Sequence, residues 1–226
     1  MSGSNLSKSV HQRLLRRAKD TGRPFNELLQ YYAMERFLYR LAQSRYSDTF
    51  VLKGALVFIV WDIPGMTARP TRDIDLLGII DNSPDSMKRV FSEICRTAVE
   101  DDGIVYNSDD IDISPITEEA DYIGQRIKLN GNLGNARITL QVDVGFGDSI
   151  VPPAEKRTYP SILGFPSPDV KVHSAESVIA EKLQAMVKLG IINSRMKDFH
   201  DIRVMSEVLH FDGILLSNAI IRTFQN

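Results

Sequence analysis

The chain has 226 residues, 43% of them hydrophobic and 25% charged, proportions typical of one large globular domain or two small ones. A net charge of −2 excludes the overall positive charge that is typical of many nucleic-acid-binding domains. No apolar run reaches the length of about 20 residues that a membrane-spanning helix needs. The single cysteine, Cys95, excludes an internal disulfide. Together with the lack of a signal-peptide pattern after Met1, it predicts a cytoplasmic protein.

The apolar periodicity predicts helices first, then a strand, a helix and several strands, and finally helices again. Helices are predicted over 7–20, 25–45, 55–61, 84–98, 174–189, 195–210 and 212–225. A short extended approach is predicted over 50–52, and strands over 73–80, 103–106, 111–117, 122–130 and 136–145, with a hairpin turn over 130–135. The proline-rich stretch 152–168 is predicted to be extended with at most one short strand. We therefore predict a core over 1–150 and a linker with a helical region over 151–226.

Three aspartates fall on the polar faces of two predicted strands. Asp73 and Asp75 lie two residues apart and so point the same way, while Ile74 points into the core. Asp143 follows an alternating apolar pattern on a second strand. Most Asp-x-Asp pairs are solvated loop residues, but neighbouring carboxylates in strands repel each other unless a cation lies between them. Because Mg²⁺ is held by carboxylates and substrate phosphates, this set predicts a metal-dependent displacement at phosphorus.

Charge is distributed unevenly along the chain, although the total is close to zero. One segment, which we call the basic arm, spans 8–23 and holds Lys8, Arg13, Arg16, Arg17, Lys19 and Arg23 against a single acid, Asp20. Residues 100–121 hold nine acids and no lysine or arginine. Such runs are usually solvated faces. The alternative for the basic arm is a surface that contacts phosphates.

The C-terminal half holds a second set of charges at helical spacing. Lys182 lies within an apolar stripe, either as a lysine whose ammonium reaches solvent at the edge of the stripe or as a cation held toward a triphosphate. Asp198 and Asp201 lie three residues apart on one helical face. They are interpreted either as acids that complement the helix dipole or as an acidic and basic cluster facing the metal site. His200 is interpreted as a surface or core residue and not as a ligand.

Taken in chain order, five features resemble the AbiEii/AbiGii toxin family, whose members are nucleotidyltransferases of bacterial toxin–antitoxin and phage-defence systems. The resemblance runs from about residue 30 to 210. It is carried by Lys53-Gly54, Arg69-x-Thr71-x-Asp73-x-Asp75-Leu76, Asp143, Glu181-Lys182 and Arg195-x-Lys197-Asp198-x-x-Asp201. It implies an α+β fold, with a polymerase-β-like nucleotidyltransferase core (a small mixed sheet with flanking helices) and a helical C-terminal region.

The resemblance also implies the reaction and the partners. A nucleoside monophosphate is transferred from an NTP, pyrophosphate leaves, the acceptor in characterised relatives is the 3′ end of tRNA, and an antitoxin restrains the enzyme. Asp73, Asp75 and Asp143 are expected to bind Mg²⁺, and Lys182 and Asp198 to join them as catalytic residues. The expected substrate-binding residues are Lys53, Gly54, Arg69, Thr71, Arg195, Lys197 and Asp201.

Two other hypotheses stay open at the level of sequence. The same chemistry can serve a small-molecule or protein acceptor, and the basic arm is the feature that discriminates between acceptors. A catalytically decayed fold can act as a binding module. The presence of all three strand aspartates and Lys182 argues against decay.

Overall fold

The computed structural model describes residues 3–63, 70–116 and 124–225, and the strands within them form a single mixed sheet. The strands are β1 (Phe50–Lys53), β2 (Asp73–Gly78), β3 (Ile104–Ile116), β4 (Gly124–Leu133), β5 (Ala136–Phe146), β6 (Glu155–Thr158) and β7 (Asp169–Val172). Across the sheet they follow the order β3-β4-β5-β2-β1-β7-β6. The pairs β2–β5 and β1–β7 are parallel, and the others are antiparallel.

The helices of the described residues flank this sheet. They are α1 (Gly3–Thr21), α2 (Phe25–Gln43), α3 (Leu56–Val60), α4 (Pro84–Cys95), α5 (Ala175–Leu189), α6 (Met196–Val208) and α7 (Gly213–Phe224), with a short 3-10 helix at Gly190–Ile192. In none of these ranges is a helix both long and apolar enough to cross a membrane. The predicted helices are confirmed to within a few residues at their ends, and Cys95 is buried as predicted.

The strand predictions needed three corrections, and the first is that β4 continues to Leu133, so the hairpin turn lies at 134–135 and not over 130–135. The strands predicted over 103–106 and 111–117 are one strand, β3, in which the register against β4 shifts between Tyr106 and Ile111. A bulge of this kind interrupts the alternation of side chains, and that interruption appears in the sequence as a gap between two strands. Strand β7 was not predicted at all, because four residues directly before a helix carry little periodic signal.

The prediction of one short strand within 152–168 is confirmed by β6. Strands β6 and β7 extend the sheet beyond β1, so residues on both sides of position 150 contribute to it. The division into 1–150 and 151–226 stays a prediction.

Helix α2 lies inside the main core and is buried around most of its circumference, including three charged residues. Glu35 accepts hydrogen bonds from Ser161 Oγ and the Ile162 N–H, and Arg36 pairs with it at 2.7 Å. Arg40 forms a fork with both oxygens of Asp102 at 2.7 and 3.0 Å. Because each buried charge is paired and hydrogen-bonded, α2 is tolerated within the core without a polar face.

A smaller apolar cluster connects the C-terminal helices to the segment that follows β1. Phe58 of α3 and Ile63 pack with Val178 and Ile179 of α5 and with Met205 of α6. Helix α3 directly follows Lys53 and Gly54. This cluster therefore fixes α5 and α6 beside the end of β1, where the predicted functional residues meet.

Candidate active site

The parallel pairing of β2 with β5 brings the three predicted aspartates together. In the register of this pair Asp75 lies opposite Asp143, and Asp73 lies opposite Gln141. Asp73 and Asp75 alternate with the buried Ile74, so they share one face of β2. The structure thus places three carboxylates on adjacent positions of two strands.

The local electrostatics of these carboxylates are unfavourable. The pKa of the Asp75 carboxyl is raised to about 6, first by burial and then by the negative charges of Asp143 and Asp73, against the opposing charge of Lys53. Burial and the charge of Asp143 also raise the pKa of Asp73. A bound cation would relieve both the repulsion and the cost of burying the charge.

Gly54 lets the backbone approach Asp75 more closely than any other residue would. It has a φ of +68°, and a Cβ atom built on it would lie 1.9 Å from Asp75 Oδ2. Lys53 and Asp75 are partners in the β1–β2 register, so Gly54 is the first residue beyond that pair. The glycine is therefore required by both its backbone conformation and the adjacent carboxylate.

We predict that Gly54→Ala lowers the free energy of unfolding by about 2–4 kcal/mol, since the left-handed backbone conformation and the contact with Asp75 both oppose a side chain. Activity should fall as well, because Asp75 must move. Gly22→Ala is the matched control: Gly22 has a φ of +69° but no atom within 4 Å of a built Cβ. Urea unfolding of both variants separates the two costs. Equal losses would contradict a role for the Asp75 contact.

Lys53, predicted to contact phosphates, lies between two carboxylates in this structure. Its Nζ donates to Asp148 Oδ2 at 2.5 Å and to Glu181 Oε1 at 3.1 Å. Beside this pair, His173 Nε2 is 3.5 Å from Glu181 Oε1, and burial lowers the pKa of the imidazole to about 3. The histidine is therefore neutral. Lys53 thus connects β1 to α5, and its charge also reaches Asp75.

Lys182 forms the centre of a second charged cluster, between α5 and α6. Its Nζ donates to Asp198 Oδ1 at 2.8 Å and to Asp201 Oδ2 at 2.7 Å, and both carboxylates are buried. Arg195 Nε lies 2.7 Å from Asp198 Oδ2. The sequence analysis treated Lys182 separately from Asp198 and Asp201, and the structure shows that the three side chains form one cluster connecting the two helices. His200, interpreted from the sequence as a surface or core residue, is exposed.

Of the remaining predicted residues, Lys197 and Thr71 belong to the described part of the chain and Arg69 does not. Lys197 is exposed at the start of α6, and its positive charge lowers the pKa of both Asp73 and Asp75. The Thr71 N–H donates to Tyr31 Oη at 3.0 Å, which holds the segment before β2 against α2. Arg69 lies outside the described residues.

Sequence reasoning missed the arginine that binds Asp143. Arg126 on β4 is the register partner of Asp143, and its Nε and Nη2 donate to the two oxygens of that carboxylate at 2.9 and 2.7 Å. The only available signal was a pair of basic residues, Arg126 and Lys128, on the strand predicted next to the one that holds Asp143. The pairing of Arg126 could not be read without the register.

The donor set suits a hard divalent cation. Its members are carboxylate oxygens, which Mg²⁺ prefers, and burial together with their mutual repulsion raises the pKa of Asp75. Within 3–63, 70–116 and 124–225 no three histidine, cysteine or acidic side chains already converge as a metal centre. The carboxylates fit the ion chemically, and Asp143 is engaged by Arg126 instead.

The fold is shared with solved structures of low sequence identity. The crystal structure of JHP933 from Helicobacter pylori matches with a TM-score of 0.53 at 16% identity, covering 88% of this chain and 78% of that one. A Helicobacter pylori protein suggested to be a nucleotidyltransferase matches with a TM-score of 0.52 at 17% identity, covering 85% of this chain and 73% of that one. No curated protein matches this chain. The predicted α+β fold, a mixed sheet with flanking helices, is confirmed.

Carboxylates of adjacent strands lie side by side on this mixed sheet, and the family match described next identifies the chain as a nucleotidyltransferase. Residues 36–226 match the family described as nucleotidyl transferase AbiEii toxin, type IV toxin–antitoxin system. The chain therefore belongs to the AbiEii family, as the resemblance predicted. Membership implies an NTP substrate and an antitoxin partner. The match begins within α2, so α1 and the basic arm lie outside it.

Proposed function

We propose that this nucleotidyltransferase toxin transfers a nucleoside monophosphate from an NTP to the 3′ end of tRNA, in a reaction that depends on Mg²⁺. We propose further that it acts in the cytoplasm as part of a phage-defence system. The observation that carries the proposal is the register of β2 and β5, which sets Asp75 beside Asp143 with Asp73 on the same face. Three carboxylates that repel each other in isolation become a favourable site when a divalent cation and a triphosphate arrive together.

The proposed reaction forms one bond and breaks one. The acceptor hydroxyl oxygen attacks the α-phosphorus of the NTP, and the bond from that phosphorus to the oxygen bridging to the β-phosphorus breaks. Pyrophosphate leaves with the bonding electrons, and the hydroxyl proton passes to a base, for which Asp143 is the candidate. When bound, Mg²⁺ neutralises phosphate charge and favours ionisation of the hydroxyl.

The protein's own groups orient the triphosphate and offset its charge in this proposal. Asp73 and Asp75 hold the cation side of the site, while Gly54 leaves room for the backbone of β1 to lie against Asp75. Exposed Lys197, whose positive charge lowers the pKa of both aspartates, is the lysine that we expect to contact phosphate oxygens. Lys53 and Lys182 are held by the carboxylates that fix them in place. Catalysis then consists of positioning and charge stabilisation.

The positive charge of the basic arm is an argument for a polyanionic acceptor. Two of its arginines also pack against other parts of the protein. Arg13 donates to the Leu163 carbonyl and lies over the Phe165 ring, so this arginine secures the connection before β7. Arg23 stacks on Tyr31, whose hydroxyl accepts from the Thr71 N–H, so the C-terminal end of the arm lies near the segment before β2. The exposed basic residues between these two ends are Arg16, Arg17 and Lys19.

We predict that replacing Arg16, Arg17 and Lys19 with glutamine raises the KM for tRNA by about tenfold and lowers the salt dependence of that KM, because phosphate contacts release counterions. The matched control replaces Lys88, Arg89 and Arg96, three exposed basic residues on or beside α4. The KM for NTP should stay constant in both variants. An unchanged KM for tRNA in the arm variant would favour a small-molecule or protein acceptor.

The experiment that tests the proposed function incubates the enzyme with Mg²⁺, total tRNA and each of the four NTPs labelled at the α-phosphorus. Label on tRNA with one of them would support the acceptor and name the nucleotide. Pyrophosphate release that requires a cell extract but leaves tRNA unlabelled would overturn the tRNA assignment and keep the enzyme class.

A further inference from the structure

Asp143 is held in this structure by an arginine, and this contact separates it from the other two aspartates. The guanidinium fork of Arg126 occupies both carboxylate oxygens, and Gln141 Nε2 donates to Oδ2 at 3.3 Å. Bidentate pairing of this kind is strong and fixes the orientation of the carboxylate. For Asp73 and Asp75, no comparable pairing with an arginine is seen in the described residues.

Arg126 is an arginine paired directly with one of the three strand aspartates, Asp143. Its charge also lowers the pKa of Asp73, as do the charges of Arg72 and Lys197. Asp143 in turn raises the pKa of both Asp73 and Asp75. Arg126, on β4, therefore offsets the repulsion among the three carboxylates. A divalent cation bound between the carboxylates would offset the same repulsion.

We propose that Arg126 is the counterion of Asp143 in the metal-free enzyme and competes with the divalent cation for that carboxylate. The inference rests on the proposed function, because it takes Asp143 to be a metal ligand. In the metal-free state the arginine holds the Asp143 carboxylate in place and neutralises its charge. On loading, the fork opens and the side chain, 34% exposed, is released toward solvent and the triphosphate.

The competing account is that the arginine and the cation bind the same carboxylate together. An ionised carboxylate has about four acceptor positions, and the fork uses two of them. In that case Arg126 would orient a ligand, and weakening the fork would lower metal affinity. If the arginine and the cation compete, weakening the fork raises the affinity for the cation, because Asp143 no longer has to break its contacts with the arginine before it binds the metal. The two accounts predict opposite signs.

The deciding variant is Arg126→Lys, which keeps the charge and loses the fork. Binding of Mn²⁺, an ion that takes the same oxygen ligands, is measured without NTP from the EPR signal of the free ion. We expect Arg126→Lys to bind about threefold more tightly than the wild type and Arg126→Gln about tenfold. Thermal unfolding gives a second readout: Arg126→Gln should melt lower than the wild type without metal and approach it when Mn²⁺ is added.

Removing any nearby positive charge strengthens cation binding to some extent, so Arg72→Gln serves as the matched control. Arg72 is exposed and influences Asp73 through its charge. Its loss should increase affinity by about twofold at most. Arg126→Lys affinity at or below the wild-type value, with binding still abolished by Asp75→Asn, would overturn the inference alone. A wild type whose Mn²⁺ binding does not depend on Asp75 would overturn the proposed metal site as well.

Discussion

Asp75→Asn should lower the rate of nucleotidyl transfer by at least about 100-fold while leaving the fold intact, because it removes a charge that is needed only to stabilise the reacting phosphate and its cation. Asparagine has the shape of aspartate, so Gly54 still has its close neighbour. Pyrophosphate release is the measurement. Asp112→Asn, which removes an exposed carboxylate on β3, is the control and should keep wild-type activity. Substantial residual activity in Asp75→Asn would exclude Asp75 as a metal ligand.

The same substitution should stabilise the metal-free protein at neutral pH. The pKa of Asp75 is about 6 in the folded state, above its ordinary value of 3.8, so ionisation opposes folding. The stability contributed by the neutral form is fully present below about pH 4 and is lost as the pH rises through about 6. At about pH 7 the gain for Asp75→Asn is up to roughly 3 kcal/mol, and it should vanish near about pH 4. Thermal unfolding between these pH values would show it.

Lys182→Met should destabilise the protein by about 3–5 kcal/mol, the cost that follows when one member of a buried ion pair is removed. Asp198 and Asp201 are each 1% exposed in their side chains and would lose the ammonium that both accept from. Arg195 still reaches Asp198, so the lower end of this range is the expected value. Urea unfolding is the measurement. Lys188→Met, an exposed lysine on the same helix, should have little effect.

A triple variant separates the structural role of this cluster from a catalytic one. Lys182→Met combined with Asp198→Asn and Asp201→Asn removes all three charges and should recover most of the lost stability, because no uncompensated charge stays buried. Transfer should stay impaired if the cluster also serves the triphosphate. Recovery of both stability and activity would limit these residues to connecting α5 and α6.

The shared orientation of the strand aspartates could be predicted from the sequence, because it depends only on the alternation of side chains along each strand. Alternation about Ile74 predicts the shared face of Asp73 and Asp75, and the same rule places Asp143 on a polar face. The parallel register that sets Asp143 beside Asp75 depends on the whole sheet. The family resemblance anticipated that arrangement, and periodicity alone would not have.

The partners of the charged residues lay beyond the reach of sequence reasoning. Arg126 meets Asp143 across an antiparallel pair whose strands lie on either side of a hairpin, and Lys53 meets Glu181 from 128 positions away. The charged residues of α2 were equally unreadable, since a helix with Glu35 and Arg40 looks amphipathic until tertiary packing buries both. Register and tertiary contact, rather than propensity, decide which charges end up paired.

The most direct test of the central claim compares NTP labelled at the α-phosphorus with NTP labelled at the γ-phosphorus, each incubated with wild-type enzyme, Mg²⁺ and tRNA. Nucleotidyl transfer at the Asp73, Asp75 and Asp143 site predicts that the α-label joins the tRNA, while the γ-label leaves in pyrophosphate. Asp75→Asn should abolish both signals. Transfer of the γ-label to tRNA would mean that the site performs phosphoryl transfer, and it would contradict nucleotidyl transfer with release of pyrophosphate.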